Sequence, residues 1–148
     1  MLSLCPNFKK ENVFRWEHSI SFDLATGLLF ESLVSNPVSF NPLIVWNEIQ
    51  MRSKQGVYMG SGLLLPHARV KELSSPLLAF GVGINGVTST SVPSNQTANL
   101  VCLVLSPASS PMAHTKVIAR IASKVMDSEW LTSLLNSKTT TEIYERLV

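Results

Sequence analysis

The chain has 148 residues, 45% of them hydrophobic and 15% charged, which suits one domain spanning residues 1–148 with a core that needs no crosslinks. Its net charge of +2, with the lysines and arginines dispersed, sets nucleic-acid binding aside. No apolar stretch approaches the roughly 18 residues a membrane span requires, and the two cysteines, Cys5 and Cys102, read as thiols of a reducing cytosol, with Cys102 buried in an apolar run.

In chain order, Leu2-Ser3-Leu4-Cys5 faintly resembles a lipoprotein cleavage site but lacks the basic and apolar regions that would precede the cysteine. The first element is an amphipathic helix over residues 21–34, with Phe22, Ala25, Leu28, Leu29 and Leu33 at helical spacing and Asn36-Pro37 as its stop. Asn41 caps a second helix with Pro42 in its first turn, and Leu43, Trp46 and Ile49 make one face before an end near Ser53. Gly56, Gly60 and Gly62 mark a tight loop, followed by a short strand over residues 63–65 that Pro66 would end, since proline donates no ladder hydrogen bond. Two further apolar runs, 77–82 and 100–105, read as strands joined by a polar Ser/Thr-rich connection. Ser109 or Ser110 caps a helix with Pro111 in its first turn and a stripe of Val117, Ile118, Ile121, Ala122 and Val125. Trp130, Leu131, Leu134 and Leu135 follow Asp127 as a short helix, and Thr139 with Glu142 offers a capping box for the last one. Strands alternating with helices predict an α/β fold.

The segment Gly60-Ser61-Gly62-Leu63-Leu64-Leu65-Pro66-His67-Ala68-Arg69 concentrates the chemistry, because it presents one histidine at a rigid strand edge beside one arginine. Neutral imidazole is a good nucleophile near pH 7, and a phosphorylated imidazole passes its phosphoryl group on readily. Arg69 is suited to pair with phosphoryl oxygens. Read from these residues alone, a Pro-His pair after an apolar run is as well a plain strand end, and function stays open.

These ten residues and the segments around them resemble the IIA domain of the fructose–mannitol and nitrogen-regulatory type in the bacterial phosphoenolpyruvate phosphotransferase system, over nearly the whole chain. The resemblance implies an α/β fold with a single mixed β-sheet flanked by helices on both faces. It implies that His67 is phosphorylated by the histidine-containing phosphocarrier protein, HPr or its nitrogen-branch counterpart, without a bound cofactor or metal. In that family a second histidine on a later helix accompanies the first; His114, 47 residues on and at a capped helix start where backbone N–H groups favour an anion, matches it. Without the resemblance, His114 reads as a packing residue. An arginine before the glycine loop also belongs to the family pattern, and Arg52 is the match, with a solvated helix-end arginine as its plain alternative. The loop itself departs: where the family reads Gly-Ser-Thr-Gly, one residue and Gly-Asn-Gly, this chain reads Gly56-Val57-Tyr58-Met59-Gly60-Ser61-Gly62, one residue shorter. Tyr58 and Met59 are expected to form an apolar surface facing a partner.

The expected function is therefore that of a cytoplasmic phosphocarrier, with the regulatory nitrogen-type form preferred because the chain carries no IIB or IIC domain. The alternatives are a sugar-specific IIA that donates to a separate IIB, and a regulator with the IIA fold that acts by binding only. Other motifs carry less. Gly81-Val82-Gly83-Ile84-Asn85-Gly86 matches a dinucleotide fingerprint but opens no helix and lacks an acidic residue before Asp127, so its glycines read as turn residues. The three histidines are too widely spaced for a metal site, His18 reads as a surface residue, and Gly60-Ser61-Gly62 has the wrong spacing for a nucleophile elbow.

Overall fold

A computed structural model describes residues 5–148, so Leu2-Ser3-Leu4 of the lipoprotein-like stretch lies outside the described residues. Five helices, α1 (Phe22–Val34), α2 (Pro42–Ser53), α3 (Pro111–Val125), α4 (Ser128–Leu135) and α5 (Thr140–Leu147), surround six strands. The strands are β1 (Val13–Trp16), β2 (Ile20–Ser21), β3 (Leu63–Leu64), β4 (His67–Val70), β5 (Leu77–Thr88) and β6 (Ala98–Pro107). Each helix starts on a side-chain cap: Ser21 accepts from the Leu24 amide, Asn41 from Leu43 and Ile44, Ser110 from Ala113, Asp127 from Glu129 and Trp130, and Thr139 from Glu142. Such a cap contributes about 1 kcal/mol by satisfying an amide that has no partner inside the helix. Glu142 completes its turn by accepting the amide of Lys138, one residue earlier than a regular capping box places it.

The sheet is mixed and effectively four strands wide. β5 and β6 are its antiparallel centre; β1 and β2 run parallel to β5 on one edge, and β3 and β4 run parallel to β6 on the other. Strand alternation divides the core into two layers. Leu64, Ala68, Val70, Ala79, Val101, Leu103 and Leu105 face α1 and α2, whose Ala25, Leu29, Leu33, Val45 and Ile49 cover them. Leu63, Leu65, Phe80, Val82, Leu100, Cys102 and Val104 face the opposite way, under Val117, Ile121 and Val125 of α3, Leu134 of α4 and Ile143 and Leu147 of α5. A single mixed sheet with helices on both faces is the architecture expected.

Four local expectations need correction. Pro66 does not end the pairing: the strand resumes at His67, in register with Val104, because an edge strand loses only one ladder bond to a proline and the Pro66 carbonyl still accepts from the Val104 amide at 3.1 Å. Gly81 and Gly83 are strand residues, not turn residues. The Trp16 indole lies where a Gly81 side chain would be, and only Gly86, with φ of 102° beside the irregularity between Val82 and Val87, needs the freedom of glycine. On α2, Leu43 is exposed and the buried stripe is Val45 and Ile49, one helical turn apart. The strands β1, β2 and β4 had no counterpart among the expected elements.

Candidate active site

The glycine loop folds as the turn of a hairpin that feeds the edge of the sheet. Met59 donates to the Leu63 carbonyl and Leu65 to that of Val57, both at 2.9 Å, so residues 57–59 pair back on residues 63–65. Three consecutive residues at the tip, Gly60, Ser61 and Gly62, have φ of 85°, 52° and 80°, and among the described residues Ser61 is the non-glycine residue that takes the left-handed region. Tyr58 holds the tip from inside: its hydroxyl donates to Gln96 Oε1 at 2.7 Å and accepts the Gly62 amide at 3.1 Å. Tyr58 is half-buried against the α1/α2 layer, so it is not the exposed anchor expected; Met59, 47% exposed, alone keeps that character. The shorter loop is thus closed by a side chain.

His67 opens β4, half-buried, on the sheet face opposite Ala68 and Val70 and therefore on the α3 side. Its Nδ1 lies 2.9 Å from the Leu65 carbonyl oxygen. A carbonyl only accepts, so Nδ1 carries the proton and the Nε2 lone pair is free.

His114 stands in the first turn of α3, buried, with its ring centroid 5.4 Å from that of His67. Its Nδ1 is 2.7 Å from the hydroxyl of Ser106, itself wholly buried near the end of β6. Burial, followed by the nearby His67, Arg69 and Arg52, pushes the His114 pKa down to about 4, so the ring is neutral near pH 7. The helix start offers fewer free amides than expected: Pro111 has none, and those of Ala113 and His114 bond to Ser110.

Arg69 is an exposed residue of β4 two positions after His67, on the same face, in register with Ser106. Arg52 lies in the last turn of α2, where its Nε donates to Glu48 Oε1 at 2.8 Å across one turn. Both guanidinium charges act on His114, Arg69 more than Arg52. The structure thus brings His67, His114 and Arg69 to one face of the β4 edge, with the charge of Arg52 within electrostatic reach. His18 is exposed and apart from this site, and Cys5 and Cys102 are buried thiols, each with its pKa raised by burial. Among the described residues no group of three or more His, Cys, Asp or Glu side chains could hold a metal ion. Surface hollows of about 600 and 550 Å³ lie elsewhere and include neither histidine of the pair.

Residues 8–148 match the family described as "Phosphoenolpyruvate-dependent sugar phosphotransferase system, EIIA 2". The chain belongs to this family. In fold, the EIIA chain is similar to the nitrogen regulatory protein IIA-Ntr from Neisseria meningitidis, with a TM-score of 0.80, 19% identity and 95% of each chain covered. It is similar as well to enzyme IIAMTL in its complex with phosphorylated enzyme IIBMTL from Escherichia coli, with a TM-score of 0.74, 21% identity, and 95% of this chain and 96% of that one covered. Among curated proteins, the fructose-specific EIIABC component of Bacillus subtilis (strain 168) is 26% identical over 90 residues, 61% of this chain. The match spans only 14% of that much longer protein.

Three groups that contact the candidate residues have no signal in the motifs: the Leu65 carbonyl on His67, Glu48 on Arg52 and Ser106 on His114. Outside the motifs Ser106 left a faint signal, because it is the polar residue at the end of the alternation Leu100, Cys102, Val104 that faces α3.

Proposed function

We propose that this EIIA protein is a cytoplasmic phosphocarrier in which His67 Nε2 accepts a phosphoryl group from the histidine-containing phosphocarrier protein. The observation that carries this reading is the Leu65 carbonyl on His67 Nδ1, which leaves Nε2 unprotonated beside a neutral His114 and Arg69. In the transfer, the new P–N bond forms at His67 Nε2 as the P–N bond on the donor imidazole breaks. The electron pair of that bond stays with the donor ring, and His67 keeps its proton on Nδ1. Phosphorylation makes the His67 ring cationic, and the hydrogen bond to the Leu65 oxygen stabilises that charge. Arg69 pairs with phosphoryl oxygens, His114 donates to them, and Arg52 reaches them by releasing Glu48, so positioned charge supplies most of the stabilisation.

The nitrogen-regulatory form is the reading preferred; the fold shared with IIA-Ntr over nearly both whole chains accords with it, as the fold shared with IIAMTL accords with a sugar-specific IIA. A IIB partner is the next most natural acceptor, on the pattern of the IIAMTL complex with phosphorylated IIBMTL. No helix among the described residues is long and apolar enough to cross a membrane. Incubation with phosphoenolpyruvate and the general phosphotransferase proteins, followed by intact mass, tests the reading. One phosphoryl group is expected on the chain and none on His67→Ala; an unlabelled native chain would leave a regulator that acts by binding alone.

A further inference from the structure

We propose that Ser106 is a positioning residue that holds His114 in the tautomer with its proton on Nε2, the form that can donate to a phosphoryl group on His67. This rests on the phosphocarrier reading above. The pair is close and shielded: the Ser106 hydroxyl lies 2.7 Å from His114 Nδ1, and Ser106 is 0% exposed.

Two arrangements satisfy that distance, and proton accounting separates them. Were Nδ1–H to donate to Oγ, the hydroxyl proton would need another acceptor. Among the described residues Ser106 Oγ has no second hydrogen-bond partner, and a buried donor left unmade costs about 1–3 kcal/mol. With the hydroxyl donating to Nδ1, its proton and the ring lone pair are both satisfied. The one proton of the neutral ring then sits on Nε2.

Register places this device beside the nucleophile. Ser106 pairs with Arg69 and lies two residues beyond Val104, the partner of His67, so the strands deliver Ser106, Arg69 and His67 to the face that α3 covers. The His114 ring, held from the β6 side, meets the His67 ring at 5.4 Å and 47°. The carbonyl on His67 makes its Nε2 an acceptor, and the hydroxyl on His114 makes its Nε2 a donor. The two rings are thereby complementary, and the donor ring stays neutral, so it adds no positive charge to compete with the Nδ1 proton of phosphorylated His67.

The test is long-range proton–nitrogen NMR on the full ¹⁵N-labelled chain near neutral pH, without phosphate, followed by the phosphoryl-transfer assay on Ser106→Ala. His114 is expected to show an unprotonated Nδ1 and a protonated Nε2. Ser106→Ala should lose that fixed tautomer and slow transfer roughly tenfold, the lower end of what loss of an outer hydrogen-bond partner costs a metal-bound histidine. A protonated Nδ1 on His114 in the native chain overturns the proposal by itself, whatever the variant does. So does a Ser106→Ala chain that keeps both the Nε2–H tautomer and the native rate. A native chain that takes up no phosphoryl group overturns the phosphocarrier reading, and the proposed role with it, a failure distinct from the wrong tautomer.

Discussion

His67 and His114 are the same residue type in two settings. His67 opens an edge strand, half-buried, with a backbone carbonyl on Nδ1; His114 is buried on a helix, with a side-chain hydroxyl on the corresponding nitrogen. A carbonyl permits one tautomer and a hydroxyl permits either, so the first ring is fixed by the main chain and the second by its whole surroundings. The difference fits the proposed roles: the half-buried ring with the free lone pair suits the nucleophile, and the buried neutral ring suits the donor.

The strongest break of this comparison is His67→Ala. It should abolish phosphoryl uptake, and the label on the native chain should be acid-labile, as phosphoramidates are; labelling of the variant at the native rate would reassign the nucleophile. His114→Ala should still be labelled, but roughly 10²–10³ times more slowly, the usual cost of removing one donor from a charged transition state. Full loss of labelling in a folded His114→Ala chain would make the buried ring the phosphorylated one.

Stability against pH sharpens the contrast without any partner. The unfolded chain binds a proton at His114 near the ordinary pKa of 6.5 while the folded chain resists it down to about 4. Between those values the unfolded state holds more protons, so stability falls as pH falls, by up to about 1.4 kcal/mol per unit. Above about 6.5 this contribution is constant. His114→Gln should flatten that part of the denaturation profile, and an unchanged slope would show that His114 is not the group responsible. The smallest effect is at the loop: Tyr58→Phe removes the bonds to Gln96 and Gly62 and should cost about 1 kcal/mol in urea denaturation. An unaltered midpoint would mean that the tip is held by its backbone alone.

Most of the helical framework is legible in the sequence because its determinants are local. Asn41, the Ser109/Ser110 pair and Thr139 offer caps by their spacing to the following apolar stripe, and Asn41, Ser110 and Thr139 make them; Ser21 and Asp127, which mark only the helix edges in the sequence, prove to be caps as well. The edges of the sheet are not legible in this way. β1 has four residues and β2 two, and both exist only through pairing with β5, dozens of positions away. Gly81 and Gly83 look like turn glycines until Trp16 is seen lying on Gly81, a contact that no local pattern encodes. Leu43 sits six positions before Ile49, roughly 120° around the helix from it, and so falls off the face that Val45 and Ile49 bury. At the site, the motif around Pro66-His67-Ala68-Arg69 marks one ring and the family resemblance marks the other, His114, and the fold brings the two to 5.4 Å. Ser106 and the Leu65 carbonyl escape notice because one is a tertiary contact and the other a backbone atom.

The central claim, that the Leu65 carbonyl leaves His67 Nε2 as the nucleophile, is tested most directly by proton–nitrogen NMR of the chain phosphorylated from phosphoenolpyruvate. The phosphoryl group should sit on Nε2 of His67, with Nδ1 still protonated and His114 unmodified. A phosphoryl group on His67 Nδ1, or on His114, would contradict the account.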